Sequence, residues 1–115
     1  MILDTSAVLA ILFDEPERRS FTTAIQADPV RLMSAANVAG RELDLFLLRA
    51  EIVSVSVGSD HIEAARIAWR NFGKGRHSAG LNFGNCLAYG LAVCSGEPLL
   101  FKGEDFPRTP IRSVF

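Results

Sequence analysis

The chain has 115 residues, of which 49% are hydrophobic and 22% charged, and its formal net charge is −1. Its length fits a single domain over residues 1–115, and this mixture of residues excludes a chain that is disordered throughout. The near balance of 12 basic and 13 acidic residues excludes a broad polybasic surface for nucleic acid. It leaves room for a compact acidic site with a local basic rim.

The distribution of apolar residues and cysteines argues against a membrane or secreted protein. The longest apolar run, residues 7–13, is far shorter than the roughly 20 residues that span a bilayer. The first residues reach Asp4 without a basic region, unlike a signal peptide. Cys86 and Cys94 lie eight positions apart in a predicted helix, about 12 Å along its axis, which is too far for a disulfide. We interpret both as buried thiols and expect a cytoplasmic protein.

The first half of the chain predicts two strands and three helices. Ile2-Leu3 is a short apolar strand that ends at Asp4, and Thr5 or Ser6 can cap the helix that follows. The next helix is predicted to begin near residues 14–17 and to stop before Pro29. The remaining predictions are a strand over 30–33, a helix start at 34–38, an interruption at Gly40 and a helix over 41–50.

The second half alternates in the same way. A strand is predicted over 52–57 and an amphipathic helix over 59–72, followed by a basic loop over 73–78. A helix over 82–94, a buried strand over 99–101 and a last short strand over 111–115 complete the chain. The expected buried stripe of the amphipathic helix consists of Ile62, Ala65, Ala68 or Trp69, and Phe72.

Strands that alternate with helices predict parallel βαβ units, and hence an α/β sandwich of three layers around a mainly parallel sheet. Ligands of such sheets bind outside the carboxyl ends of the strands. Asp4 and the segment 102–105 follow two predicted strands, and Asn85 begins a helix that can face the same crevice. Carboxylates gathered there need a cation, and Mg²⁺ suits one or two carboxylates with water and phosphate oxygens. The pattern therefore favours metal-assisted cleavage of a phosphodiester.

Four segments in this order resemble the PIN-domain family, and most closely the VapC toxins of bacterial toxin–antitoxin pairs. They are residues 2–7 (Ile-Leu-Asp-Thr-Ser-Ala), 33–37, 80–86 and 99–106. The resemblance implies a PIN-like three-layer α/β/α fold and an endoribonuclease that uses Mg²⁺, with Mn²⁺ as a possible substitute. It also implies RNA as substrate, a VapB-like antitoxin as inhibitor and a homodimer.

Carried over residue by residue, the resemblance makes Asp4 a metal-binding aspartate and Thr5 or Ser6 the hydroxyl that orients it. Asp105, or its neighbour Glu104, corresponds to the acidic residue after the last main strand. Asn82 lies where it can donate to the site or cap the following helix. The choice between Glu104 and Asp105 stays open, because adjacent residues after a strand leave it in different directions.

Two departures from the family pattern bear on activity. Asn85 stands where the family usually has an aspartate, which keeps one oxygen but removes a charge. It is either a substitution introduced to disable a toxic protein, which we favour, or a natural change. The family also has a glutamate on a long helix after the segment 34–37, whereas here Val38-Ala39-Gly40 leads at once to residue 41. That helical stretch is either deleted or missing from the sequence as given, and Glu42 replaces its glutamate poorly.

The basic loop offers residues for gripping RNA phosphates, namely Lys74, Arg76 and His77, with Arg70 nearby. A solvated loop that happens to be basic is an equal alternative. Core packing is favoured over base stacking for Trp69, Phe72 and Phe83. Leu9, Leu12, Phe13 and Phe21 on the first two helices can form an apolar groove for an antitoxin helix. The alternative to an active nuclease is a catalytically inactive module that binds antitoxin or RNA.

Overall fold

A computed structural model describes residues 1–37 and 41–115, except for the side chains of residues 41 and 42. The elements follow in the order β1 (Ile2–Leu3), α1 (Thr5–Leu12), α2 (Arg18–Ala27), β2 (Leu32–Ser34), α3 (Arg41–Arg49), β3 (Val53–Val55), α4 (Ser59–Phe72), α5 (Phe83–Ser95) and β4 (Leu99–Leu100). Two 3₁₀ turns lie at Ala35–Asn37 and Phe106–Arg108.

The four strands form one sheet in the order β3-β2-β1-β4, and every neighbouring pair is parallel. Ile2 of β1 lies opposite both Leu32 and Leu99, so β1 is an inner strand. The carboxyl ends of parallel strands meet at one edge, and the end of β1 lies in the middle of that edge. Asp4, the next residue, is thereby placed at the centre of the crevice.

Alternating strand residues build two cores, one on each face of the sheet. Leu3, Met33 and Leu100 pack with the buried residues of α1, α2 and α3. Ile2 and Leu99 pack instead with those of α4 and α5. Because successive strand side chains point to opposite faces, even strands of two or three residues contribute to both cores. The predicted three-layer α/β arrangement is confirmed.

Most predicted elements are present, with shifted ends. The second helix begins only at Arg18, and Asp14, which takes a positive φ of 56°, lies between it and the end of α1. The predicted strand over 111–115 is reduced to one parallel bridge between Ser113 and Leu99. The predictions that concern Val38 to Gly40, and the side chain of Glu42, lie outside the described residues.

Three detailed predictions are wrong. Asp4 itself, and neither Thr5 nor Ser6, caps α1: its carboxylate accepts from the backbone N–H of Ser6. Cys94 is exposed, while Cys86 is buried as expected and both thiols are free. Ile62, expected in the buried stripe of α4, is 48% exposed, because that stripe faces α5 through the small residues Ala65 and Ala68.

Among the helices of the described residues, none combines the length and the apolar character that a membrane span requires.

Candidate functional site

Asp4 is a buried carboxylate held by contacts with β4 and with the start of α1. Its side chain is only 3% exposed, and its backbone N–H donates to the carbonyl of Leu100 at 2.9 Å. The Ser6 backbone N–H and hydroxyl both donate to Asp4 Oδ2, at 3.0 and 2.6 Å. The same hydroxyl accepts from the backbone N–H of Lys102 at 3.0 Å. Ser6 therefore links the end of β1 to the chain leaving β4 and holds Asp4 in one orientation.

Burial raises the pKa of Asp4 above its ordinary value, against the hydrogen bonds from Ser6, which lower it. The negative charge of Asp105 is a further, smaller cause that raises the same pKa. The negative charges of Asp4 and Asp105 therefore repel each other, and a cation bound between them would relieve this repulsion.

Asp105, rather than Glu104, is turned toward this site. Its Oδ2 accepts from the side-chain Nδ2 of Asn85 at 3.2 Å. Within the described residues, Glu104 is exposed and makes no hydrogen bond or ion pair. The chain after β4 turns at Gly103, which takes a φ of 110°. The geometry thus favours Asp105 of the two alternatives.

Asn85 reaches the site from the first turn of α5. The side chain of Asn82 caps this helix by accepting from the backbone N–H of Asn85 at 2.8 Å. Asn82 therefore holds Asn85 in place through the backbone, which is the capping role foreseen as one of two alternatives.

Asn37 joins the starts of α1 and α5, a role that the sequence did not reveal. Its backbone carbonyl accepts from the Thr5 hydroxyl at 3.3 Å, and its Nδ2 donates to the carbonyl of Gly84 at 3.3 Å. Its Oδ1 is buried and has no hydrogen-bond partner within the described residues. In the sequence, the place of Asn37 at the end of the motif over 33–37 was the one indication of this role.

Basic residues do not neutralise the acidic pair. Within the described part of the chain, no lysine or arginine forms an ion pair with Asp4 or Asp105. Lys102 follows β4 closely, but its Nζ lies 2.6 Å from Glu15 and 3.1 Å from Glu17. Two uncompensated carboxylates and an amide are hard oxygen donors of the kind that Mg²⁺ or Mn²⁺ accepts. The residues present therefore fit a divalent cation, with Asp4 and Asp105 as the charged donors.

The predicted basic residues are divided between two environments. Arg70 and Arg76 line a cavity of about 610 Å³ together with Arg66, Trp69 and Phe83. His77 is held otherwise: its Nδ1 accepts from the backbone N–H of Ala79 at 3.0 Å, and its ring packs edge-on against Phe72. Lys74 is exposed and does not line this cavity.

Two aromatic side chains of that cavity are accessible, which differs from the expected core packing. Phe83 is 74% exposed and lies two residues before Asn85, and Trp69 is 37% exposed. Phe72 is half-buried against Tyr89 and His77, as expected of a packing residue. We define the aromatic groove by Trp69, Phe83, Arg66, Arg70 and Arg76, which line this cavity.

A parallel α/β sheet with a buried aspartate after its first strand and a second acidic residue after its last defines a PIN-like domain. Ribonuclease VapC30 of Mycobacterium tuberculosis is 51% identical over 128 residues, covering 99% of this chain and 98% of the relative. Ribonuclease VapC of Mycolicibacterium smegmatis is 48% identical over 99% of each chain, and VapC ribonuclease Mb0625 of Mycobacterium bovis is 41% identical over 97% and 96%. The chain belongs to the VapC ribonuclease family. No family model matches it.

The alignments also reveal a difference in length. The match to VapC30 runs over 128 positions, against 115 residues in this chain, so at least 13 positions hold a residue only in the relative. The match to the Mycolicibacterium smegmatis protein has the same extent. This agrees with the expectation that a stretch of family sequence is absent here.

Proposed function

We propose that this chain is a metal-dependent endoribonuclease toxin of a type II toxin–antitoxin pair, whose activity is impaired by Asn85. The observation that carries the proposal is the buried, oriented Asp4 beside Asp105 and Asn85, in a chain 51% identical to proteins named VapC ribonuclease. Mg²⁺ is the proposed ion, and Mn²⁺ is its expected substitute.

In the proposed reaction Asp4 and Asp105 hold the cation, and Ser6 keeps Asp4 oriented through its two hydrogen bonds. When bound, the ion supplies charge neutralisation and activation of a water for attack on an RNA phosphodiester. The amide of Asn85 donates to Asp105 and so ties up an oxygen that could otherwise face the ion. An aspartate there would add a negative charge, so the asparagine is expected to weaken cation binding and cleavage.

The aromatic groove is proposed as the path of a single-stranded segment of RNA. Exposed rings such as Phe83 and Trp69 offer faces on which unpaired bases stack, and guanidinium groups bind phosphates. Arg70 and Arg76 belong to this proposal, and Lys74 lies on the same basic loop. His77 is a weaker candidate, since its ring packs on Phe72 and its Nδ1 is already bonded.

The exposed face of α1 is proposed to receive a VapB-like antitoxin. Leu9 and Leu12 are exposed on that helix, and Phe13, directly after it, is 71% accessible. Phe21, expected in the same groove, is instead buried in the core of α1 and α2. An amphipathic helix with an apolar face is the partner that such a surface fits. A homodimer is also proposed, on the likeness to the family alone.

A second candidate function is an inactive module that binds antitoxin or RNA. Asn85 in place of an aspartate and the shorter chain both favour it. The two proposals differ in one outcome, namely whether restoring a charge at residue 85 restores cleavage.

The test is cleavage of single-stranded RNA by the parent chain and by Asn85→Asp, with Mg²⁺, with Mn²⁺ and with a chelator. The nuclease proposal expects metal-dependent cleavage by Asn85→Asp, and its loss in Asn85→Asp combined with Asp4→Asn, which serves as the matched control. Cleavage that persists in the double variant would contradict the proposed site. Absence of cleavage in all variants, with the fold intact, would favour the binding module.

A further inference from the structure

Outside the acidic site, a second group of metal-binding side chains joins the beginning of α4 to the end of α5. Asp60, His61 and Cys94 each offer a ligand atom, and these atoms all lie within 4.8 Å of one another. Cys94 follows Asn85 by nine residues on the same helix, about 13 Å along its axis. The group is therefore separate from the site of Asp4 and Asp105, and it does not depend on the function proposed for that site.

The donor types distinguish this group from a chance cluster of surface acids. A thiol, an imidazole and a carboxylate are the ligand set of Zn²⁺ and related transition metals, whereas Mg²⁺ prefers oxygen alone. His61 is only 16% exposed, which limits the freedom of its ring. Asp60 has no ion pair with a lysine or arginine within the described residues, and its Oδ1 accepts from the backbone N–H of His61 at 2.9 Å.

Close packing of the two helices holds the three residues together. A Cβ atom at Gly90 would lie 2.7 Å from the carbonyl oxygen of His61, so only glycine permits this approach of α5 to α4. Cys94 lies one helical turn beyond Gly90 on α5. The contact therefore fixes the backbone of His61 against the helix that carries the thiol.

We propose that Asp60, His61 and Cys94 form a site for a thiophilic transition-metal ion of the Zn²⁺ class, which clips the start of α4 to the end of α5. Three protein ligands leave the fourth position of a tetrahedral ion to water. Binding releases the proton of the Cys94 thiol, since the thiolate is the ligand form. The role is to stabilise the α4–α5 layer.

The imidazole of His61 provides a local reporter of binding. In the structure its Nδ1 accepts from the backbone N–H of Gly58 at 3.3 Å, and its Nε2 lies 3.8 Å from Asp60 Oδ2. A neutral imidazole carries one proton, so binding through Nε2 moves that proton to Nδ1 and ends the bond from Gly58. The Gly58 amide resonance is therefore expected to shift when the ion binds.

The experiment is a titration of the full chain with Co²⁺, whose thiolate complexes absorb in the near ultraviolet, followed by displacement with Zn²⁺. The parent is expected to show the thiolate band, and Cys94→Ala to lose it with a fall in Zn²⁺ affinity of more than about tenfold. Asp4→Asn, the control at the acidic site, is expected to keep the band. Zn²⁺ should also raise the melting temperature of the parent but not of Cys94→Ala.

Two results would overturn the proposal. One is a parent protein that shows no thiolate band and no thermal shift with Zn²⁺. The other is a band that persists in Cys94→Ala, which would assign it to Cys86. Circular dichroism of each variant separates loss of the site from loss of the fold, and His61→Gln provides a second variant that leaves both thiols in place.

Discussion

The side-chain amide of Asn85 donates to the carboxylate of Asp105 at 3.2 Å, beside the buried carboxylate of Asp4. This hydrogen bond joins the start of α5 to the chain after β4. An aspartate at residue 85 could form such a bond only if it or Asp105 were protonated. At residue 85 an asparagine attracts Asp105, whereas a charged aspartate would repel it. We expect this contact to stabilise the fold and to weaken the binding of a cation.

The first prediction concerns this exchange. Asn85→Asp is expected to lower the melting temperature in the presence of a chelator, because it adds a third carboxylate to two that already repel. Added Mn²⁺ should reverse the loss, since a ligand that binds only the folded state stabilises it. Differential scanning calorimetry with and without Mn²⁺ measures both effects. A variant that melts above the parent in chelator would contradict the described contact.

The second prediction concerns Asp4, whose pKa is raised chiefly by burial. The folded state then binds its proton more tightly than the unfolded state, so its protonation stabilises the fold at low pH. That stability is lost as the pH rises through the folded pKa, above the ordinary value of 3.8. Asp4→Asn should therefore melt a few degrees higher than the parent at neutral pH in chelator.

Asp4→Ala provides the control for the helix cap. Asparagine retains an oxygen that accepts from the Ser6 N–H, whereas alanine removes it at a cost of about 1 kcal/mol. Thermal melts over a pH series should show the advantage of Asp4→Asn narrowing as the pH falls. An advantage that does not vary with pH would show that the buried charge is not its cause.

The third prediction distinguishes the two thiols. Cys86 is 1% exposed and burial raises its pKa to about 11, whereas Cys94 is accessible. One thiol equivalent is therefore expected to react with a disulfide reagent at neutral pH, and the second only after denaturation. Cys94→Ser should abolish the reaction of the native protein. Two equivalents from the folded parent would contradict the described burial of Cys86.

The fourth prediction concerns the aromatic groove. Arg70→Ala and Arg76→Ala should each weaken binding of single-stranded RNA and reduce the salt slope by about 0.7. Phe83→Ala should cost about 1–3 kcal/mol of stacking with less change in the slope. Arg18→Ala is the matched control, because this exposed arginine on α2 pairs with Asp14 away from the groove. Equal losses for Arg18→Ala would indicate a diffuse electrostatic effect.

Much of this molecule could be predicted because short local signals agree with one another. An apolar pair followed by Asp4, and the Asn82 cap before an apolar helix, identify the strand end and the helix start that build the site. The direction of Asp105 rather than Glu104 could not be predicted, since it depends on the path of the chain after β4 and on the contact with Asn85 of a distant helix. The exposure of Cys94 and Ile62 could not be predicted for another reason. The period of apolar residues shows which residues share a face of a helix, but it does not show which face the neighbouring helices cover.

The measurement that tests the acidic site most directly is Mn²⁺ binding, followed by the electron paramagnetic resonance signal of the free ion. The parent is expected to bind Mn²⁺ weakly, Asn85→Asp at least about tenfold more tightly, and Asn85→Asp combined with Asp4→Asn no better than the parent. The unchanged binding of Cys94→Ala would exclude a contribution from the second site. Equal Mn²⁺ affinity in the parent, Asn85→Asp and the double variant would contradict a metal centre built on Asp4, Asp105 and residue 85.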